Sequence, residues 1–180
     1  MILDIALGIL SALFVSDVFN VVLTTKLLLW GISFALLPDI DVVWGVLIKG
    51  NWWEKGIWGH RELTHYPVLY LPITLLVYIM AGSMWAILFL VGVFLHNIHD
   101  TFGIGWGIKW LWPFSHKSYS LFDRKNGERR FFSSWTQAEK TSSDRRVLWG
   151  NWMADVYFKY HLPVEIAGLV ITLVVLFKIL

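Results

Sequence analysis

Three short clusters set acids and imidazoles at the ends of oily segments: Leu37-Pro38-Asp39-Ile40-Asp41, His60-Arg61-Glu62-Leu63-Thr64-His65 and His96-Asn97-Ile98-His99-Asp100. Four of the six histidines of the chain fall in them. Such side chains are costly near a bilayer and persist there when a partner or a metal occupies them. Carboxylate plus imidazole is a ligand set for a catalytic divalent cation open to water. The chemistry these residue types point to is metal-dependent hydrolysis at a membrane.

Within the clusters, spacing assigns roles. His96 and Asp100 are four apart, so on a helix they project from one face, one turn apart, as two ligands for one ion. The competing role for that pair is a buried His–Asp hydrogen bond. His99 is turned about a quarter turn away and offers either a second ligand direction or a proton shuttle; an interfacial histidine is the plainer role. Asp39 and Asp41 straddle Ile40 in a stretch expected to be non-helical. Two carboxylates so close repel unless a cation lies between them, although Asp39 can also cap a following turn. His60 and His65 are five apart, which does not align them on one continuous helix. His60 is therefore expected before a helix start and His65 in its first turns. Arg61 suits a substrate phosphate through its planar guanidinium, or serves as a basic membrane anchor.

The elements that must position these residues are apolar. The 180-residue chain is 57% hydrophobic, 17% aromatic and 16% charged, with a mean hydropathy of +0.60. A soluble domain is about a quarter charged, so the balance indicates a single membrane-embedded domain over residues 1–180. Twelve tryptophans and six tyrosines suit a bilayer interface. Without cysteine, disulfides and thiolate metal sites are excluded. A formal charge of +2 with no long basic run argues against nucleic acid.

The expected architecture is an all-α, polytopic bundle of about five helices with a small cytoplasmic cap. A first helix covers Ile5 to Val15, which without a basic n-region or cleavage site reads as retained rather than removed. Asp17 and Asn20 break the chain before a second helix from Val18 to Leu37, ended by Pro38. Residues 42–59 look like an interfacial loop. A third helix from Leu63 to Met80 turns at Gly82-Ser83 into a fourth from Met84 to Phe102. The fifth, Leu162 to Leu180, has Pro163 in its first turn. The insertion 104–161 is polar and aromatic. Within it, Asn126-Gly127 between aromatic flanks signals a β-hairpin over 122–131. Ser134 to Gln137 has capping-box spacing, and Trp149, Trp152, Met153, Val156 and Tyr160 recur at helical spacing, as a surface helix or as core packing.

Alternating helix direction brings every cluster, and Asp4 with them, to one membrane face. That face carries Lys49, Lys55, Arg61 and ten basic residues from Lys109 to Lys159, against Lys26 and Lys178 on the other. The positive-inside rule then sets the clusters on the cytoplasmic side of the inner membrane.

In order along the chain, these motifs resemble the YdjM-like family of membrane-bound metal-dependent hydrolases. Its pattern runs from an early His through Leu-Pro-Asp-Ile-Asp, Gly-His-Arg-x-x-Thr-His and His-x-x-x-Asp to a Gly-rich run into Trp-Pro. Leu37 to Asp41, Gly59-His60-Arg61, Thr64-His65, and His96 with Asp100 match it, and Gly103 to Phe114 resembles the last element. The likeness covers roughly residues 1–120. Where the family has its early histidine this chain has Asp4, which as a harder ligand can still bind a divalent ion or can be a polar terminus without a role. The resemblance implies metal ligands Asp4, Asp39, Asp41, His60, His65, His96 and Asp100. They would hold one or two divalent ions, zinc first, with manganese and magnesium as alternatives.

The expected reaction is hydrolysis of an ester or phosphoester in a membrane lipid or membrane-associated substrate. Asp39 or Asp41 would orient the water, His99 or His116 would protonate the leaving group, and Arg61 or Lys117 would neutralise a phosphate. Two rivals are a divalent-cation transporter, whose ligands belong nearer the bilayer midplane, and a non-enzymatic partner-binding membrane protein using the 104–161 cap.

Overall fold

The architecture follows from five apolar segments and their stops. In the computed structural model the residues described are 2–41, 63–102, 107–125, 128–136, 138–139, 159 and 161–179, with the side chains of 123–129 left aside. Helix α1 spans Ile2–Val18, α2 Thr25–Leu36, α3 Tyr70–Ala81, α4 Ser83–Thr101 and α5 Leu162–Ile179. Strands β1 (Ser118–Lys125) and β2 (Glu128–Trp135) form an antiparallel pair. The described chain is therefore mostly helical, with the expected hairpin as one small sheet. The interfacial loop expected over 42–59 and the surface helix expected near 149–160 lie outside the described residues, as do His60 and Arg61.

Local chemistry moves several boundaries. The second helix starts at Thr25 and not at Val18. Asn20 turns the chain at φ 49°, and Thr24 caps α2 by accepting the Leu27 amide at 3.2 Å. Pro38 does stop α2, but the chain continues into a 3-10 turn over Leu37–Asp39 with Ile40 still helical in φ and ψ, so the Asp39–Asp41 stretch is not irregular. The third helix begins seven residues later than its apolar pattern suggests. Pro67 pushes Tyr66 into extended backbone (φ −97°, ψ 105°), so 63–65 and 67–69 form separate 3-10 turns. Gly82, at φ 88°, lies between α3 and α4, a conformation glycine adopts without steric cost.

Helix α4 is the central element, packing against α1, α2 and α3, while α5 packs on α1. Ala12, Val15, Leu27 and Leu88 form one buried cluster, and Tyr70, Phe89 and Val93 another. The α1–α2 crossing is a backbone contact: a Cβ on Gly8 would sit 2.4 Å from Ile32 Cα. The hairpin is tied to the C-cap of α4 by a bridge between Phe102 and Leu121, and to the segment that follows by a second between Ile108 and Tyr119. Its register pairs Lys125 with Glu128, the strands run longer than 122–131, and the expected Asn126-Gly127 turn lies outside the described residues. Because Ser134 pairs with Tyr119 in the sheet, the capping box shifts to Thr136–Glu139. There, Thr136 N and Oγ1 donate to Glu139 Oε2 at 2.8 and 2.9 Å, and Glu139 N donates to Thr136 Oγ1 at 3.2 Å.

Two of the described helices, Ser83–Thr101 and Leu162–Ile179, are long and apolar enough to cross a membrane. The twelve-residue α2 and α3 rise only about 18 Å each, against roughly 30 Å of hydrocarbon.

Candidate metal centre

Four side chains from three elements meet at one end of the bundle. The 3-10 turn after α2 supplies Asp39, the turn before α3 supplies His65, and the last turns of α4 supply His96 and Asp100. Each offers one ligand atom, and all four atoms lie within 4.8 Å of one another. The two imidazole Nε2 atoms are 3.3 Å apart. His65 Nε2 is 3.6 Å from Asp39 Oδ1 and 3.2 Å from Asp100 Oδ2. His96 Nε2 lies 3.6 and 3.7 Å from the same two oxygens. An ion with bonds of about 2.1 Å holds tetrahedral ligands about 3.4 Å apart, so these separations fit a divalent cation.

The chemistry of the donors agrees with the geometry. Both histidines are essentially inaccessible, and Asp39 and Asp100 are buried. Carboxylates sequestered together repel one another, and two imidazoles facing each other Nε2 to Nε2 can share only one hydrogen bond between them. A cation answers both demands with four donor atoms. The buried cluster of Asp39, His65, His96 and Asp100 could therefore hold a metal ion.

The remaining ring nitrogens point outward to a second set of groups. His96 Nδ1 lies 3.1 Å from Asp4 Oδ1, and His99 Nδ1 lies 2.9 Å from the same oxygen. The His99 contact is a hydrogen bond, whereas His96 Nδ1 is close to the same oxygen without being aligned for one. On the other imidazole, His65 Nδ1 is 3.0 Å from Thr64 Oγ1 and 3.9 Å from Asp41 Oδ2. The Tyr70 hydroxyl donates to the Thr64 carbonyl and holds that turn.

The fold thus brings together Asp4, Asp39, Asp41, His65, His96, His99 and Asp100. Asp4 and Asp41 stand behind the histidines, not among the four converging atoms. His116 is exposed, with Lys117 beside it, and among the described residues it makes no hydrogen bond or ion pair to the cluster.

Sequence reasoning missed three supporting features. Lys109 is buried and donates to the Tyr66 hydroxyl at 2.9 Å, next in sequence to a cluster histidine. Trp110 Nε1 donates to Thr101 Oγ1 at 2.8 Å, next to Asp100. Glu165 is buried at the start of α5 and accepts the Leu3 amide at 3.5 Å, one residue from Asp4. Only Glu165, an acid in an otherwise apolar segment, carried a signal in the sequence.

A helical bundle with apolar outer faces and one buried His/Asp cradle belongs to the class of membrane proteins that keep their polar chemistry at a single end. The model of the YdjM inner membrane protein family matches residues 3–178, and the chain belongs to that family. It is also 34% identical over 125 residues to inner membrane protein YbcI of Escherichia coli (strain K12). That match covers 63% of this chain and 62% of the relative, so the chain spans less than two thirds of the length of this curated relative. No solved structure matches. The family and relative names both indicate an inner membrane protein.

Proposed function

We propose that this protein is a metal-dependent hydrolase of the inner membrane that cleaves an ester or phosphoester in a membrane lipid or membrane-associated substrate. The observation that carries the reading is the convergence of two imidazole nitrogens and two carboxylate oxygens from three elements at one end of an apolar bundle. Asp39, His65, His96 and Asp100 would hold a divalent ion, zinc, manganese or magnesium, which would supply Lewis acidity and activate water near neutral pH.

The chain's own residues do the rest. Asp39 and Asp100 hold negative charge around the cation, while the Thr64 hydroxyl bonded to His65 Nδ1 and the Asp4 carboxylate beside His96 Nδ1 orient the rings. His99, largely buried beside Asp4, is the residue we assign to pass a proton to a leaving group. Arg61 and Lys117 are the candidate partners for a phosphate. The substrate follows from location. Exposed Leu71, Leu75 and Ile79 on α3 and Val170, Ile171 and Val174 on α5 give the bundle an oily outer surface, so a site at its end meets lipid headgroups. The clusters belong on the cytoplasmic face of a multi-pass bundle, by the distribution of Lys and Arg.

Metal-loaded protein incubated with a total lipid extract, with products read by mass spectrometry, tests this directly. Wild type is expected to release products that Asp100→Ala does not. Identical profiles across lipid classes and added metals would remove the lipid-hydrolase reading. Reporter fusions after Gly82 and at Asn126 are expected on opposite sides of the membrane, and a shared side would remove the topology.

A further inference from the structure

Asp4 is among the most buried acids described, at 1% exposure, yet its carboxylate is not one of the four converging ligands. Its Oδ1 instead meets Nδ1 of His96 and Nδ1 of His99, at 3.1 and 2.9 Å. Both histidines sit on α4, three residues apart and so on neighbouring positions of one helical face, and Asp4 reaches them from the first turn of α1. A carboxylate is acceptor-only: Asp4 bonds to His99 Nδ1, and its charge 3.1 Å from His96 Nδ1, a contact not aligned as a hydrogen bond, draws the proton to that nitrogen. In a neutral imidazole that leaves Nε2 with the lone pair, and His96 Nε2 is the atom that faces Asp39 and Asp100.

We infer that Asp4 is a positioning residue, not a further metal ligand: it locks His96 in the tautomer that aims its Nε2 lone pair at the cradle and holds His99 beside it. The inference rests on the metal-centre reading and deepens it. Burial gives the carboxylate its leverage, because a fully desolvated acceptor 3 Å from an imidazole holds the ring without competition from water. Two contacts hold Asp4 in turn. Gly8, one turn further along α1, packs directly on the α2 backbone at Ile32, and Glu165 of α5 accepts the amide of Leu3. The outer carboxylate of a histidine–metal pair typically contributes 10–100-fold to metal affinity without entering the coordination shell.

Cobalt titration of the purified full chain in detergent separates the roles. Asp4→Asn, which keeps an acceptor oxygen and loses the charge, is expected to bind Co²⁺ about 10–100-fold more weakly. It should keep the same number of ions per chain and the same visible absorption band. Asp4→Ala is expected to be weaker still. Affinity within twofold of wild type in both variants would overturn the inference, and so would a changed band or a lost ion, which would make Asp4 a ligand. ¹⁵N NMR of the imidazoles in the metal-free wild-type chain, at a pH high enough that His96 is neutral and with that ring assigned through His96→Gln, needs no folded Asp4 variant. A protonated Nδ1 and bare Nε2 on His96 support the inference, and the reverse tautomer overturns it. Wild type that binds no Co²⁺ while showing the expected tautomer would sink the metal centre and leave the Asp4–His96 contact standing.

Discussion

Helices α4 and α5 are of nearly equal length, and both are apolar enough to cross a membrane, but they do different work. In α4, 50% of the apolar window is buried inside the protein; in α5 the figure is 11%. Helix α4 is packed by α1, α2 and α3 and ends in His96-Asn97-Ile98-His99-Asp100, whereas α5 rests on α1 and turns Val170, Ile171, Val174 and Phe177 outward. The difference shows how a membrane protein of this size divides its apolar segments. One helix buys chemistry by being enclosed, since only an enclosed helix end can keep imidazoles and carboxylates dry and in register. The other is left exposed on the outside of the bundle, where a side chain has only to be oily.

The largest effect should come from breaking the enclosed side of that comparison. A His65→Ala, Asp100→Ala double variant removes two of four converging donors and is expected to cut the metal content of protein purified without chelator below about a tenth of wild type. Elemental analysis checks this, with Ile171→Ala as the control that keeps full content. Retention of metal in the double variant would separate the cluster from metal binding altogether.

On the peripheral helix, Ile171→Lys tests what the exposed face meets. If α5 faces lipid, the lysine costs about 3 kcal/mol of insertion free energy, visible as a lower inserted fraction in a glycosylation-mapping assay. Equal insertion of Ile171→Lys and Ile171→Ala would place that face in water. A third change probes how the two regions are linked through α1. Gly8→Val drives a side chain into the α2 backbone at Ile32 and Gly31 and is expected to destabilise the bundle by roughly 1–3 kcal/mol. Because α1 carries Asp4, metal affinity should fall along with the melting temperature. A variant that loses stability and keeps full affinity would uncouple α1 packing from the site.

The smallest effect concerns His161, just before α5. Burial pushes its imidazole below the usual 6.5, partly opposed by the Glu165 carboxylate. The folded state then favours the neutral ring, so the contribution to stability is complete above about pH 6.5 and declines as pH falls below it. In chelator-treated protein, the melting temperature should drop less between pH 7 and pH 5 for His161→Gln than for wild type. An equal drop would mean that His161 is solvated in both states.

Much of the fold could be read from residue order alone, because its causes are local. Five apolar segments, the stop at Pro38, the turn at Gly82 and the presence of a hairpin after Ser118 all depend on residues a few positions apart. The pairing of His96 with Asp100 followed from helical periodicity, and Asp39 and His65 followed from their place in motifs at segment ends. Errors arose where one local signal competed with another, or with a tertiary contact. Pro67 overrode an apolar pattern to delay α3, and strand pairing with Tyr119 drew Ser134 out of its expected cap.

The division of labour among the acids was decided only by the folded chain. Asp4, Asp39, Asp41 and Asp100 look equivalent in sequence as carboxylates at the ends of oily segments. Which of them converge with Nε2 atoms and which stand behind the rings depends on how α1 and the two 3-10 turns approach the end of α4, to within an ångström or two. That approach is set by the Gly8–Ile32 backbone contact and the turns around Pro38 and Pro67. Ligand geometry is a property of distances between elements far apart in the chain, and periodicity within one element carries no information about it.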